Sequence, residues 1–293
     1  MFQEGLAPDL YDLPLLCWVG AEVAAYQLLL NNRLDDGTAI CAVTPETDLI
    51  IEPHRPVSVT EAVEAASCVR SVDVRLRVGP DEPFWMAKGK LIHTLFEHAI
   101  HPEAGSDRGF RQAFQAALPD LFSVLPGSDV TVTEASLEQE ARSHFRNLIA
   151  WMEEHRNRFS AVEVESDRIS VRWGLKGRAD AIFRNERTGN IVELKSGRIP
   201  MPEHLLQLHA YRLLFTDAQE GTDLDGQVVY SSTGKIEPAG DLSRTWTRAI
   251  VEGRNRVVAL KKSYLDRDTE VLAEHTCNRT GNCFARANCR RLF

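Results

Sequence analysis

Between Phe159 and Gly197 polar and apolar residues alternate, whereas the stretches on either side repeat at helical spacing. This change of period points to an α/β chain with helices packed on a sheet. Val162 with Val164, Ile169 with Val171, Ala179 with Ala181, and Ile191 with Val192 read as short strands separated by turns such as E-R-T-G-N. Three or four of them predict a mixed or antiparallel sheet. Upstream, F-W-M-A-K-G-K-L-I-H-T-L-F-E-H-A-I and D-R-G-F-R-Q-A-F-Q-A-A-L predict helices. The longest helical pattern, to Phe159, opens on a capping Thr133. Downstream, Pro202 suits the first turn of a helix, followed by a strand at Q-V-V-Y-S-S and a long helix from Ser243 to Leu265.

Residues 1–57 read as a small N-terminal element. Its pattern predicts a helical stretch from Asp12 to Leu30, then a hairpin joining T-A-I-C-A-V to D-L-I-I-E-P across T-P-E-T. Ser58 or Thr60 is placed to cap a short helix that carries Cys68, with Glu61 and Glu64 in its first turns.

The 293 residues, 43% hydrophobic and 26% charged, suffice for a substantial core without staples. No run reaches the roughly 18–20 apolar residues of a membrane helix, and the N-terminus carries acids where a signal peptide carries Lys or Arg, so a cytoplasmic location is expected. The net charge of −8 argues against a protein that coats nucleic acid nonspecifically. A basic stretch with Arg279, Arg286, Arg290 and Arg291 lies at the C-terminus, either a local nucleic-acid contact or a solvated tail. The six cysteines do not read as a disulfide framework. Cys277, Cys283 and Cys289 crowd together in a metal-site pattern, while Cys17 and Cys41 sit in apolar surroundings and are expected to be buried thiols.

The chemistry concentrates on the alternating segment. Asp180 in G-R-A-D-A-I and Glu193 with Lys195 in V-E-L-K-S-G flank one turn, so pairing of their strands brings Asp180 near Glu193. The period of two puts Glu193 and Lys195 on one side. An isolated E-x-K is more simply an ion pair. A second carboxylate changes the balance, because two hard oxygen donors suit Mg²⁺ or Mn²⁺ and phosphodiester cleavage uses such ions. Gly89, His93 and Glu97 share a helix face; a lone helical His is commonly a core hydrogen-bonding residue and is here also a candidate ligand. Gln207 and Tyr211 are i, i+4 neighbours on the helix that follows.

Taken in order, G-K-L-I-H (Gly89 to His93), G-L-K-G-R-A-D (Gly174 to Asp180), E-L-K-S-G (Glu193 to Gly197) and Q-L-H-A-Y (Gln207 to Tyr211) resemble a RecB-like nuclease of the PD-(D/E)XK superfamily. The resemblance covers residues 58–293. It implies a restriction-endonuclease-like mixed sheet flanked by helices. Cys68 ahead of the His motif, with Cys277, Cys283 and Cys289 after the nuclease core, resembles the subgroup of that family that holds a 4Fe–4S cluster. That subgroup includes CRISPR-adaptation nucleases and the nuclease domain of flap-processing helicase–nucleases. Here five residues separate Cys277 from Cys283 where the family has two, and His275 stands nearby as a substitute ligand. Such a cluster would join the two ends of the core.

By that resemblance Asp180, Glu193 and the Leu194 carbonyl bind one or two divalent ions, Mg²⁺ or Mn²⁺, with His93 as an additional ligand. Lys195 orients or deprotonates the attacking water, and Gln207 and Tyr211 position the DNA strand. The expected activity is a deoxyribonuclease acting on single-stranded DNA, ends or flaps. The chain has no G-x-x-x-x-G-K-[ST] loop, so unwinding would come from a helicase or other DNA-processing partner. Two other readings stay open on the residues alone: a noncatalytic nucleic-acid-binding module with an iron–sulfur or zinc site, and a zinc-stabilised regulatory domain using only the C-terminal cysteines.

Overall fold

The computed structural model describes residues 20–27, 29–33, 39–44, 46–79, 84–100, 105–124, 133–155, 158–186, 188–217, 223–241, 243–266 and 289. The stretch of alternating residues forms three strands, β6 (Ala161–Ser170), β7 (Leu175–Arg184) and β8 (Thr188–Lys195). The two short strands expected between Val162 and Val171 are one β6, paired with β7 from Ala161↔Arg184 to Ser170↔Leu175 on either side of Glu165. β7 runs antiparallel to β8, and β8 runs parallel to β9 (Asp223–Tyr230), which turns back into β10 (Lys235–Pro238). The short β5 (Val57–Ser58) lies parallel to the start of β7. The sheet is therefore mixed.

Period-two alternation divides the central strands between two apolar layers. Ile182, Ile191 and Val228 face α1 (Val59–Val78), α5 (Pro202–Asp217) and α6 (Arg244–Asp266). Their chain neighbours Phe183, Val192 and Val229 face α2 (Phe84–Ala99), α3 (Asp107–Val124) and α4 (Glu134–His155). Buried on both faces, these strands are near-continuously apolar, as strands covered on both sides must be. Ser58 rather than Thr60 starts α1. Its hydroxyl accepts from the Glu61 amide while Glu61 reaches back to the Ser58 amide, completing a capping box. α6 crosses α1 at Gly253, where an added Cβ would lie 2.7 Å from the Ala66 amide nitrogen.

The N-terminal region departs from its sequence pattern. Where a helix was expected from Asp12 to Leu30, the described residues form strands β1 (Val23–Tyr26) and β2 (Leu29–Arg33). The expected hairpin partners, β3 (Ala39–Ala42) and β4 (Asp48–Ile51), do not pair with each other: β3 pairs with β2 and β4 with β1. A short apolar run is ambiguous in period, and long-range pairing decides it. Cys41 is exposed on β3 rather than buried, because β2 and β3 form a two-stranded sheet apart from the core; Cys17 lies outside the described residues. β4 is anchored to α6 by Asn255, which donates to the Leu49 carbonyl at 2.7 Å and accepts from the Ile51 amide at 3.1 Å. No described helix is long and apolar enough to cross a membrane.

Candidate metal centre

One edge of β7 carries two different neighbours. β8 pairs with Ala181 to Arg184 and β5 with Leu175 and Lys176, so among the described residues Gly177 to Asp180 have no ladder partner on that edge. Asp180 sits where the β7–β8 ladder stops, and its Oδ2 accepts the Leu194 amide at 2.6 Å. The side chain thus satisfies a backbone donor and is held in one orientation. Gly177 opens the gap: a Cβ there would lie 2.9 Å from the Tyr211 ring and 3.1 Å from Val59.

The other oxygen of Asp180, Oδ1, lies 3.1 Å from Nδ1 of His93, which α2 delivers from the opposite layer. Burial by itself would lower the pKa of His93, but the hydrogen bond and charge of Asp180, helped by Glu193, prevail and hold it above its ordinary value. Glu193 is 3% exposed. Burial pushes its carboxyl up to about 7, with the Asp180 charge adding to the rise and Lys195 opposing it. Lys195 Nζ donates to Glu193 Oε1 at 2.7 Å and to Gln207 Oε1 at 2.9 Å. Tyr211, one turn along α5 from Gln207, hydrogen-bonds to that amide, and its hydroxyl is held protonated by burial and by the charge of Glu193. Asp180, Glu193, Lys195, His93, Gln207 and Tyr211 therefore converge from two strands and two helices. The amide of Leu194 takes part through Asp180, while its side chain is buried in the layer beneath α2 and α4.

Glu165 was not singled out from the sequence. It lies on β6 between Val164, paired with Ala181, and Ser166, paired with Ala179, so the register sets it opposite Asp180. Its ligand atom, with those of His93 and Asp180, falls in a group whose members are within 4.8 Å of one another. Burial raises its pKa, Arg178 opposes that rise at 2.6 Å, and Asp180 and Glu97 reinforce it. Like charges facing each other across a ladder are destabilising unless a cation lies between them. Glu165 also adopts a left-handed backbone, φ 49°, uncommon for a residue with a side chain. The sequence shows three acids in E-V-E-S-D; only the strand register says which one meets Asp180.

Of the expected cluster cysteines, Cys68 is buried in α1 at a point where the helix is interrupted, with φ −163° and ψ 104°. Cys289 is half-buried. Cys277, Cys283, His275 and the C-terminal arginines lie outside the described residues.

Against known proteins, a family model described as the PD-(D/E)XK nuclease superfamily matches residues 56–290. A solved structure titled "Crystal structure of SSO0001" aligns with 71% of this chain and 77% of its own length, at 19% identity and a TM-score of 0.34. No curated protein matches the chain in sequence.

Proposed function

Since this chain belongs to the PD-(D/E)XK nuclease superfamily, we propose that it is a divalent-metal-dependent deoxyribonuclease that hydrolyses phosphodiester bonds in single-stranded DNA, at ends or flaps. The observation that carries the reading is the convergence of Glu165, Asp180 and His93, whose ligand atoms lie within 4.8 Å of one another, with the buried Glu193 beside them and its carboxyl raised in part by the Asp180 charge. The donor set, carboxylate oxygens with one imidazole, fits a hard divalent ion.

In this reading Asp180, Glu193 and the Leu194 carbonyl hold Mg²⁺ or Mn²⁺, and His93 with Glu165 complete the ligands on the side of α2. Such an ion lowers the pKa of a bound water and offsets charge on the leaving oxygen. Lys195, fixed at two points by Glu193 and Gln207, presents its remaining donor capacity to the attacking water and to a phosphate oxygen. Gln207 and Tyr211 position Lys195 and the strand. The nuclease domain is taken to run from residue 58 to 293, after a small N-terminal element.

We further propose that Cys68, Cys277, Cys283 and Cys289 hold a 4Fe–4S cluster. Thiolates are the donors such clusters take, and the break in α1 at Cys68 releases that thiol from the constraints of a regular helix. α1 packs along α6, after which the other three cysteines follow. Bound there, the cluster would close a loop of roughly two hundred residues and stabilise the fold rather than take part in hydrolysis.

Anaerobically purified protein should cleave end-labelled single-stranded DNA with Mg²⁺ or Mn²⁺ and not with EDTA, and Asp180→Ala should abolish cleavage. Undiminished cleavage by Asp180→Ala, or none by wild type with its metals bound, would overturn the nuclease reading. Iron and sulfide near four of each per chain, lost in Cys68→Ala, are expected for the cluster. Zinc without iron would refute that part alone.

A further inference from the structure

Beside the metal centre a cleft of about 470 Å³ opens between α2, α4 and the loop after β8, with Lys88, Gln139, His144, Ser196, Arg198 and Ser232 on its walls. Its position is set by Gly89, where an added Cβ would lie 3.9 Å from the Ser196 hydroxyl, so α2 runs close over the residue that follows Lys195. Trp85 lies one helical turn before Gly89 and three residues before Lys88, hence on the same face of α2. It is 61% exposed, and Ile199, next to Arg198, is 74% exposed. The Trp85 indole is therefore open to solvent on the helix face that also carries Lys88 into the cleft.

The charged groups on its walls are Lys88, Glu140 and Arg198. Arg198 is exposed and, among the described residues, has no carboxylate within ion-pair distance, whereas Lys88 is paired with Glu140 at 2.8 Å. His144 is held by Ser231 at 2.8 Å, and burial lowers its pKa, so it stays neutral and offers a hydrogen bond rather than a charge. The Ser196 hydroxyl supplies a further donor, while that of Ser232 already donates to the Gly197 carbonyl at 2.8 Å. The chain as a whole is anionic, with a net charge of −8, so an anionic polymer is drawn here by local groups and not by the overall field.

Resting on the nuclease reading of the adjacent centre, we propose that this cleft is the path of one unpaired DNA strand: Trp85 stacks on a nucleobase while Arg198 and the Ser196 hydroxyl contact the backbone phosphates. The indole face requires a base released from pairing, which excludes duplex at this position, and stacking with hydroxyl contacts reads no sequence. From Trp85 to His93 along α2 is about 12 Å, roughly three stacked nucleotides from the scissile phosphate.

The test is binding in EDTA, where cleavage is silent, using the full chain with its cluster intact and a fluorescein-labelled thymidine 20-mer read by anisotropy. Trp85→Ala should weaken single-strand binding about 5- to 150-fold, Trp85→Phe should restore most of it, and duplex binding should change little. Arg198→Ala should flatten the dependence of log K on log salt by about 0.7. Equal affinity in wild type and Trp85→Ala overturns the proposal, as does an equal loss on duplex, which would place a partner protein rather than a base on this patch. If wild type binds the strand through Trp85 but cleaves nothing with Mg²⁺ or Mn²⁺, the nuclease reading fails and the strand site stands. If it cleaves while Trp85→Ala binds normally, only this inference falls.

Discussion

Arg254 and Lys195 are both cations held largely out of water, and they are satisfied in opposite ways. Arg254, fully buried in α6, donates to the backbone carbonyls of Ile51, Glu52, Arg55 and Gly174 and to the side chain of Asn255. Each bond goes to a fixed acceptor, and Gly174, at φ +56°, is glycine because its backbone is left-handed and a Cβ would strike the guanidinium. Burial lowers the pKa of Arg254 to about 10, which still leaves it charged. Lys195 instead faces Glu193 in a group where the Asp180 charge helps to raise the Glu193 carboxyl and Glu165 stands opposite Asp180. The first cluster is complete and ties β4, the β6–β7 turn and α6 together. In the reading proposed above, the second is completed by a divalent ion. Buried charge of the first kind marks architecture; of the second, chemistry.

The largest expected effects separate the two directly. Arg254→Met leaves several buried carbonyls without donors and should cost about 3–5 kcal/mol, a large share of a domain's total stability, visible as a strongly lowered urea midpoint. Lys195→Ala should leave that midpoint nearly unchanged while cleavage falls about 10²- to 10⁴-fold. If Arg254→Met melts like wild type, or Lys195→Ala unfolds, the division between architecture and chemistry is wrong.

How far these clusters were legible in the sequence follows the same division. Asp180, Glu193 and Lys195 stand out because acids between apolar neighbours violate the strand pattern, and the turn between them predicted the β7–β8 pairing that is observed. The Ser58 cap was legible because a capping box is local. Arg254 was not, since it breaks an α6 pattern in which Ile250 and Val257 are buried, and its acceptors lie some eighty and two hundred residues away in the chain. Glu165 was hidden for want of the β6 register. The strand at Val23–Tyr26 and the first residues of that at Leu29–Arg33 fall within a helical pattern in the sequence, because their partners come from later in the chain. Local rules find caps, turns and periodicity; register and long-range acceptors belong to the folded chain.

Glu165 falls between the two kinds, since it both pairs with Arg178 and faces Asp180. If it belongs with the metal ligands, Glu165→Gln should raise the Mn²⁺ concentration for half-maximal cleavage about 10- to 100-fold, with stability little changed. An unchanged metal requirement with a lowered melting temperature would move Glu165 to the architectural side, as the partner of Arg178.

The smallest effect tests the incompleteness of the second cluster without measuring cleavage. The folded pKa of Glu193, about 7, lies above its ordinary 4.5, so the folded chain holds that proton more tightly than the unfolded chain. The associated stability is full below about pH 4.5 and is lost as pH rises through 7. At pH 8 in EDTA Glu193→Gln should therefore be more stable than wild type by about 1–3 kcal/mol, and the gap should close towards pH 5, where the wild-type carboxyl is protonated. Saturating Mg²⁺ should reverse the order, because an ion bound only by the folded protein adds about 2.7 kcal/mol at a hundredfold excess over its Kd and the amide binds it more weakly. Should Glu193→Gln instead be the less stable protein at pH 8 in EDTA, the bond to Lys195 outweighs the crowding of carboxylates. Glu193 and Lys195 would then be a finished structural pair, like Arg254 and its carbonyls.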